Sequence, residues 1–296
     1  MQRYQFTNQS ITVAIVQQIA QTIKQQLLGV YSEPEAGAIT QEVLEHVLQQ
    51  NRVQLSLNQQ QEISIAQQQQ LQTIVERLLK HEPLQYVLGV AHFYGLELQV
   101  DQNVLIPRPE TEELVDLVIK EHRQQQELKV LDICTGSGCI PIALAANLNT
   151  QAVYGLEVSE GALEVAKANA TKYNLPISWL HQDIFDPLQT IAPSSLDIIT
   201  SNPPYVLEEE QELMRANVLD YEPHLALFVP DTDPLKFYKR IAKVGYSLLK
   251  TGGKLYFEIN ERYGPETCDV LLQAGFTEAK VVQDLFGKDR MVRAVR

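Results

Sequence analysis

The sequence predicts an α/β protein in which a doubly wound, mostly parallel sheet follows an N-terminal all-helical domain. Three observations support this fold class. The first 80 residues, of which 20 are glutamine, carry apolar residues at helical spacing. From residue 129 to the C-terminus, strand-like and helix-like segments alternate, which is typical of a parallel sheet covered by helices on both faces. A glycine-containing segment of alternating polarity, around Gly89 and Gly95, separates the two regions.

The predicted helical domain spans residues 1–84. Its apolar residues form three amphipathic stripes, each with glutamine on the solvent side. The stripes are Ile11, Ile15, Ile19 and Ile23; Val43, Leu44, Val47 and Leu48; and Leu71, Ile74, Val75, Leu78 and Leu79. Five basic and six acidic residues nearly balance within residues 1–80. Packing or contact with a partner is the expected role of this domain.

Residues 85–107 are expected to form a β-hairpin that links the two domains, because polar and apolar residues alternate over residues 96–100. The second domain, residues 108–296, contains seven predicted strands. They cover residues 129–133, 153–157, 177–180, 196–200, 254–259, 280–282 and 290–295. The main helices between them are expected at residues 140–148, 161–173, 235–249 and 265–274. A sheet of this kind binds its ligands at the carboxyl ends of its strands.

Composition restricts the function. A chain of 296 residues with 45% hydrophobic and 21% charged residues is long enough for two globular domains. Its formal charge of −13 argues against binding nucleic acid by charge alone. The sequence shows no export signal, and its longest apolar run, residues 140–146, is too short to span a membrane. Three cysteines do not make a disulfide framework, so a cytoplasmic protein is expected.

A short glycine loop follows the first strand and opens the next helix. Gly136 and Gly138 permit a tight turn and the close approach of a ligand to the backbone. A dinucleotide fingerprint has three glycines in the pattern G-x-G-x-x-G, and Pro141 stands where the third would follow Gly136 and Gly138, which disfavours NAD. An ordinary strand-to-helix turn has the same appearance, so the loop alone does not decide.

Two acidic residues at strand ends predict a nucleoside. Glu157 ends the second strand 19 residues after Gly138, near the spacing at which a carboxylate accepts both ribose hydroxyls. A surface glutamate at a strand end is the alternative. Asp183 follows the third strand, where it can accept from an adenine amino group while Ile184 offers an apolar edge to the ring. A turn cap is an equal alternative for Asp183.

The fourth strand stops at Asn202-Pro203-Pro204-Tyr205, which predicts an acceptor site for a planar nitrogen. Consecutive prolines donate no backbone hydrogen bond, so the Pro203 carbonyl remains a free acceptor. Together with the Asn202 side-chain oxygen it can accept both protons of an amide or aromatic amine and favour a reactive, pyramidal nitrogen. Tyr205 can stack on the flat group. A plain Asn-Pro turn is the alternative.

Neighbouring strands would bring this acceptor site to the glycine loop. In the common doubly wound order, the first and fourth strands are adjacent where the winding reverses. A donor at the glycine loop and an acceptor at Asn202 would then share one crevice. The sequence therefore predicts methylation of a planar nitrogen.

The sequence from about Glu82 onward resembles the release factor glutamine methyltransferases, also called the HemK or PrmC family. The segments that carry the resemblance include Ile106-Pro-Arg-Pro-Glu-Thr-Glu112, which is the most specific, and the shared Asn-Pro-Pro-Tyr tetrapeptide. Others are Pro83-Leu-Gln-Tyr, Phe93-Tyr-Gly, Leu131-Asp-Ile-Cys-Thr-Gly-Ser-Gly, Tyr221-Glu-Pro, Glu258-Ile and Asp284-Leu-Phe-Gly-Lys-Asp-Arg.

The resemblance implies a seven-stranded methyltransferase sheet, with a helical domain that helps grip the substrate. It implies methylation, from S-adenosylmethionine, of the side-chain nitrogen (N5) of the glutamine in the Gly-Gly-Gln motif of class 1 peptide chain release factors. The donor is expected to contact Cys134, Thr135, Gly136, Ser137, Gly138, Glu157, Asp183, Ile184 and Asn202. The glutamine is expected on Asn202, Pro203, Pro204 and Tyr205, with Asn202, Pro203 and Tyr205 as the catalytic residues.

Two positions depart from the family pattern. Cys134 replaces the usual first glycine, and Glu157 replaces the more usual aspartate. We expect both to be tolerated. The glycine-poor segment after Ala226 leaves no assigned role for Asp231.

Two alternative functions fit the sequence less well. An adenine-N6 DNA or RNA methyltransferase needs the same acceptor loop, but residues 81–296 carry 19 basic and 31 acidic residues and offer no basic groove. A catalytically inactive binding module is disfavoured by intact Asn202 and Tyr205. The expected partner is thus a protein substrate, with no direct nucleic-acid binding and no membrane.

Several remaining polar residues allow more than one interpretation. The histidines and cysteines lack metal-ligand spacing, so no metal is expected. Arg108, Glu110 and Glu112 could orient the donor or close the crevice, or could belong to an acidic helix start. Glu258 is interpreted as structural and Phe93 as a core residue.

Overall fold

The computed structural model describes residues 14–296, and the chain divides into two compact units between Leu88 and Gly89. Ile11, from the first predicted stripe, lies outside the described residues. The predicted division into residues 1–84, 85–107 and 108–296 stays a prediction. The observed hairpin covers only residues 90–99 and belongs to the second unit, whereas residues 85–88 of the predicted hairpin segment lie in a short helix of the first unit.

The first unit is a helical bundle. Its elements are β1 (Ala14–Ile15), α1 (Val16–Leu27), α2 (Glu33–Leu48), α3 (Arg52–Leu57), β2 (Glu62–Ile63), α4 (Ile65–Leu78) and α5 (Leu84–Leu88). Asn51 and Ser64 start α3 and α4 with capping boxes, which satisfy backbone N–H groups that a helix leaves unpaired. Most residues of the predicted stripes pack into one core. Two differ: Ile15 lies in β1 before the helix begins, and Leu79 lies beyond the end of α4 and is exposed.

The second unit begins with an antiparallel hairpin of β3 (Val90–Phe93) and β4 (Leu96–Gln99), followed by α6 (Pro109–His122). The first half of the alternating region is β5 (Leu128–Ile133), α7 (Cys139–Asn147), β6 (Thr150–Glu157), α8 (Glu160–Lys172) and β7 (Ile177–His181). Every strand and helix predicted within this half is found within a few residues of its expected ends.

The second half of the region contains several short elements. It comprises β8 (Leu196–Ser201), β9 (Val206–Leu207), a 3-10 helix (Glu208–Leu213), α9 (Ala216–Leu219), α10 (His224–Leu227), β10 (Phe228–Val229), α11 (Lys236–Leu248), β11 (Leu249–Glu258), a 3-10 helix (Glu261–Tyr263), α12 (Gly264–Gln273), β12 (Thr277–Gln283) and β13 (Asp289–Val295). The short strands β9 and β10 pair with each other.

Seven strands form the main sheet in the order β12-β13-β11-β8-β5-β6-β7. Among the seven strands only β13 runs opposite to the other six, which confirms the predicted doubly wound, mostly parallel sheet. The winding reverses between β5 and β8, where Ile133 pairs with Ser201. The loops after Ile133 and Ser201 therefore leave the sheet side by side, as predicted.

Helices cover both faces of this sheet. On one face Tyr238 and Ile241 of α11 pack with Phe257, and on the other Leu114 of α6 packs with Tyr256. Successive residues of β11 thus point into opposite cores, as the alternation of a β-strand requires. Phe93, 1% exposed, belongs to the second core, as predicted. Within residues 14–296, no helix has the length and apolar character needed to cross a membrane.

Candidate active site

A cleft with about 870 Å³ of empty space opens at the carboxyl ends of β5 and β8. Its walls include the glycine loop, most of residues 103–108, Asn202 with Pro204, and Pro223 with Leu225 and Ala226. This is the edge at which a doubly wound sheet binds its ligands.

The glycine loop takes its shape from three left-handed residues, Cys134, Gly136 and Gly138, with φ of 61°, 54° and 78°. A side chain at such a φ costs about 1–3 kcal/mol, so Cys134 holds a backbone conformation that glycine adopts more easily. The two glycines serve different needs. A Cβ on Gly138 would lie 2.9 Å from Cη2 of Trp179, whereas no described atom lies within 4 Å of a Cβ on Gly136. Packing therefore requires Gly138, and the backbone conformation requires Gly136.

Glu157, at the end of β6, holds this loop closed. Its Oε2 accepts the Gly136 N–H at 3.0 Å, and its Oε1 accepts the N–H groups of Val158 at 2.9 Å and Ser159 at 3.0 Å. A carboxylate offers about four acceptor positions, so Oε2 keeps one for a further donor. Glu157 lines the cleft, and its structural role in the loop was not predicted.

Asp183 and Ile184 lie outside the lining of the cleft. Asp183 Oδ1 accepts the Phe185 N–H at 2.9 Å, the turn-cap arrangement that the sequence left open. Ile184 is 4% exposed and belongs to one of the two sheet cores. The adenine contacts expected of these two residues stay predictions.

Some residues of the Asn202–Tyr205 loop line the cleft, and others are buried in the protein. Asn202 and Pro204 line the cleft, and Pro203 is buried. Asn202 Nδ2 donates to Thr111 Oγ1 at 3.3 Å, and the Tyr205 hydroxyl donates to Glu258 Oε1 at 2.9 Å. Both ends of the loop are thus tied by side-chain hydrogen bonds.

Glu258 and Thr111 complete this arrangement through a connection that was not predicted. Glu258 is 1% exposed, and its Oε2 accepts the Thr111 hydroxyl at 2.6 Å. Burial raises the pKa of the Glu258 carboxyl. The sequence offered one signal that was not used: Thr111 lies within the most specific family motif.

Arg108 and Glu222 join two walls of the cleft. Arg108 Nη2 lies 2.6 Å from Glu222 Oε1, and the Ile106 N–H donates to Glu222 Oε2 at 3.1 Å. The Glu222 side chain is 1% exposed, whereas that of Arg108 is 32% exposed. Glu222 was not singled out from the sequence. It connects residues 104–108 to the segment before α10, so Arg108 shapes the cleft by closing its wall.

The helix start at α6 accounts for the acidic residues near Arg108. Glu110 and Glu112 lie in the first turn of α6, where negative charge is favourable. Glu112 Oε1 also accepts the Tyr94 N–H at 2.9 Å. Within residues 14–296, no three histidine, cysteine, aspartate or glutamate side chains are grouped closely enough to hold a metal ion.

Three named relatives align with most of the length of this chain. A Bacteroides thetaiotaomicron protein called release factor glutamine methyltransferase is 44% identical over 274 residues, covering 93% of this chain and 98% of its own length. This chain belongs to the release factor glutamine methyltransferase family. Two further relatives carry the same name. The Flavobacterium psychrophilum protein is 42% identical and covers 91% of this chain and 95% of its own length. The Streptococcus pneumoniae protein is 43% identical and covers 79% of this chain and 82% of its own length.

Family models match both parts of this release factor glutamine methyltransferase family member. The PrmC N-terminal domain matches residues 18–89, and the methyltransferase small domain matches residues 111–220. The resemblance seen in the sequence is confirmed.

Two solved structures support the fold. A methyltransferase from Pyrococcus furiosus has a TM-score of 0.51 at 16% identity, covering 74% of this chain and 96% of its own. A Thermus thermophilus 16S rRNA N2 G1207 methyltransferase, in complex with AdoMet and guanosine, has a TM-score of 0.50 at 18% identity, covering 70% and 49%. The family member described here therefore has the methyltransferase fold.

Proposed function

We propose that the protein transfers a methyl group from S-adenosylmethionine to the side-chain amide nitrogen (N5) of the glutamine in the Gly-Gly-Gln motif of class 1 peptide chain release factors, in the cytoplasm. One observation carries the proposal: Asn202 lines the same cleft as the glycine loop and Glu157. Relatives named for this activity, at 42–44% identity over more than nine-tenths of this chain, support the choice of substrate.

The residues of the cleft fit such a donor. Gly136 presents backbone without a Cβ, and Glu157 Oε2 keeps one acceptor position for a ribose hydroxyl. Thr135 and Ser137 also line the cleft beside Gly136. When bound, S-adenosylmethionine supplies a methyl group that its sulfonium makes electrophilic.

Asn202 and Pro203 would make the glutamine amide reactive. An amide nitrogen is a poor nucleophile because its lone pair is delocalised into the carbonyl. The Asn202 oxygen and the Pro203 carbonyl accept its two protons and orient the nitrogen toward the methyl group. As the N–C bond forms and the S–C bond breaks, positive charge develops on nitrogen, and both hydrogen bonds strengthen. The extra proton leaves to water.

The other predicted residues have supporting roles in this proposal. Tyr205, its hydroxyl held by Glu258, would bound the flat carboxamide. The helical unit, which matches the PrmC N-terminal domain, would grip the release factor. The excess of acidic over basic residues in the chain, 37 against 24, supports a protein substrate without direct nucleic-acid contact.

A methyl-transfer assay with radiolabelled donor tests this function. The substrates are a purified class 1 release factor, its Gly-Gly-Gln to Gly-Gly-Ala variant and duplex DNA. We expect label in the intact factor and none in the other two. Label in DNA but not in the factor would replace the proposal with adenine-N6 methylation.

A further inference from the structure

We propose that Thr111 and Glu258 are positioning residues that fix the orientation of the Asn202 side-chain amide, so that its oxygen faces the substrate. This inference rests on the proposed function and adds to it two residues that act through Asn202. They come from distant parts of the chain: Thr111 lies in the first turn of α6 and Glu258 ends β11.

Three side chains form a continuous polar relay. The Thr111 hydroxyl donates to Glu258 Oε2 at 2.6 Å, and Asn202 Nδ2 donates to Thr111 Oγ1 at 3.3 Å. Thr111 is 2% exposed and Glu258 is 1% exposed. Hydrogen bonds to a buried carboxylate are charge-assisted and stronger than those between neutral groups.

The relay has one direction because a hydroxyl carries a single proton. Thr111 uses that proton in its hydrogen bond to the Glu258 carboxylate, so it can only accept a hydrogen bond from Asn202. An acceptor selects the NH₂ group of the Asn202 amide and repels its oxygen. The Asn202 Oδ1 atom must then lie on the other branch of the amide, without Thr111 as a partner. That oxygen is the one the proposed reaction needs as an acceptor.

The opposite orientation would have a specific cost. If the Asn202 amide were flipped, its oxygen would face the Thr111 oxygen with no proton between them. Thr111 could avoid this only by turning its hydroxyl away from Glu258 and donating to Asn202. The carboxylate would then lose one of its two side-chain hydroxyl donors while buried, which is unfavourable. Burial therefore makes the relay selective as well as stable.

The same carboxylate also holds the far end of the acceptor loop. The Tyr205 hydroxyl donates to Glu258 Oε1 at 2.9 Å, and Asn260 Nδ2 donates to the Tyr205 carbonyl at 3.2 Å. Glu258 thus fixes Asn202 through Thr111 and Tyr205 directly. The two prolines between them are already stiff, so one buried group sets the geometry of the whole loop.

A matched pair of substitutions tests the relay. Thr111→Val removes the hydroxyl and keeps the shape, whereas Thr111→Ser keeps the hydroxyl. We expect Thr111→Val to lower kcat by about tenfold or more, with the donor Kd and the release factor KM changed by less than about threefold. Thr111→Ser should restore kcat to within about threefold of wild type. Circular dichroism and thermal melting verify that each variant is folded.

The pH profile provides a second test that a merely structural role would not affect. A protonated Glu258 can itself donate to Thr111, which frees the Thr111 proton for Asn202 and weakens the orientation. Wild-type kcat should therefore fall on the acid side as Glu258 gains its proton. Besides burial, four neighbouring groups act on the pKa of this carboxyl. The Thr111 hydroxyl, the Tyr205 hydroxyl and Arg290 lower it, and Glu110 raises it. In Glu258→Gln this fall of kcat at low pH, the acid limb of the profile, should disappear. The maximum kcat of the variant should be lower than that of wild type.

The outcomes separate the inference from the function on which it rests. If wild type fails to methylate the release factor, the proposed function fails first. If wild type is active and folded Thr111→Val equals it in kcat, the relay is wrong. A loss of donor binding as large as the loss of kcat would also overturn it, because Thr111 would then serve the donor. If Thr111→Val does not fold, an unchanged acid limb in Glu258→Gln overturns the inference.

Discussion

The Glu157 carboxylate accepts the backbone N–H of Gly136 at 3.0 Å, across the mouth of the glycine loop. The same carboxylate accepts the N–H groups of Val158 and Ser159. This side chain thus reaches from the end of β6 to the loop. The loop shape and the expected ribose site therefore depend on one side chain.

Glu157→Gln should weaken donor binding by about tenfold or more while the protein stays folded. The new NH₂ group would face a backbone N–H, which opens the loop and removes the negative acceptor for the ribose. Isothermal titration calorimetry with S-adenosylmethionine measures the effect. Glu160→Gln, at an exposed position at the start of α8, is the matched control and should bind like wild type. Equal affinities in all three proteins would contradict this role.

The two loop glycines should respond differently to alanine. Gly138→Ala forces a Cβ to within 2.9 Å of Trp179 and 3.1 Å of Ile142, so the free energy of unfolding should fall by about 2–3 kcal/mol. Gly136→Ala meets no described atom within 4 Å and should cost only about 1 kcal/mol for its left-handed backbone. Urea unfolding followed by the fluorescence of Trp179, the single tryptophan, compares them. The reverse ranking would show that packing does not explain Gly138.

Breaking the Arg108–Glu222 pair should destabilise the second unit. Arg108→Met leaves a carboxylate that is 1% exposed with the Ile106 N–H as its remaining partner, and we expect a loss of about 2 kcal/mol. Adding Glu222→Gln should recover part of that loss, and a double-mutant cycle measures the coupling. Lys239→Met breaks the exposed pair with Asp233 and should cost less than about 1 kcal/mol. Equal costs for the two pairs would refute the assignment.

Asp132→Asn should stabilise the protein in a pH-dependent way. Asp132 is fully buried, and burial raises its pKa to about 7. Because this folded-state pKa lies above the unfolded value, its protonation stabilises the fold below about pH 4, and that contribution is lost as pH rises to about 7. Asparagine keeps an acceptor for the Thr200 hydroxyl, 2.7 Å from Asp132 Oδ1. From about pH 5 to pH 8 the variant should gain about 3 kcal/mol relative to wild type. If the difference in free energy of unfolding between the variant and wild type stayed constant across that range, the raised pKa of Asp132 would be contradicted.

Regular elements of the fold were predictable because they depend on local patterns. The strand predicted over residues 129–133 is observed at Leu128–Ile133, and that predicted over residues 196–200 at Leu196–Ser201. Both are short apolar runs bounded by polar or turn residues, and their adjacency follows from the common order of doubly wound sheets.

The side-chain connections of the site were not predictable from such patterns. Glu258 and Thr111 are 147 residues apart, and only the packing of α6 beside β11 joins them. Arg108 and Glu222 each lie in a recognised motif, but nothing in the sequence pairs them across 114 residues. For Asp183 the sequence allowed either an adenine contact or a turn cap, and the structure shows the hydrogen bond of the turn cap.

Single-turnover methylation by Asn202→Ala tests the central claim most directly. With donor and release factor both saturating, this rate reports the methyl-transfer step without product release. We expect the variant to bind donor within several-fold of wild type but to transfer methyl about a hundredfold or more slowly, because the lost acceptor acts mainly in the transition state. A wild-type single-turnover rate from the folded variant would contradict it.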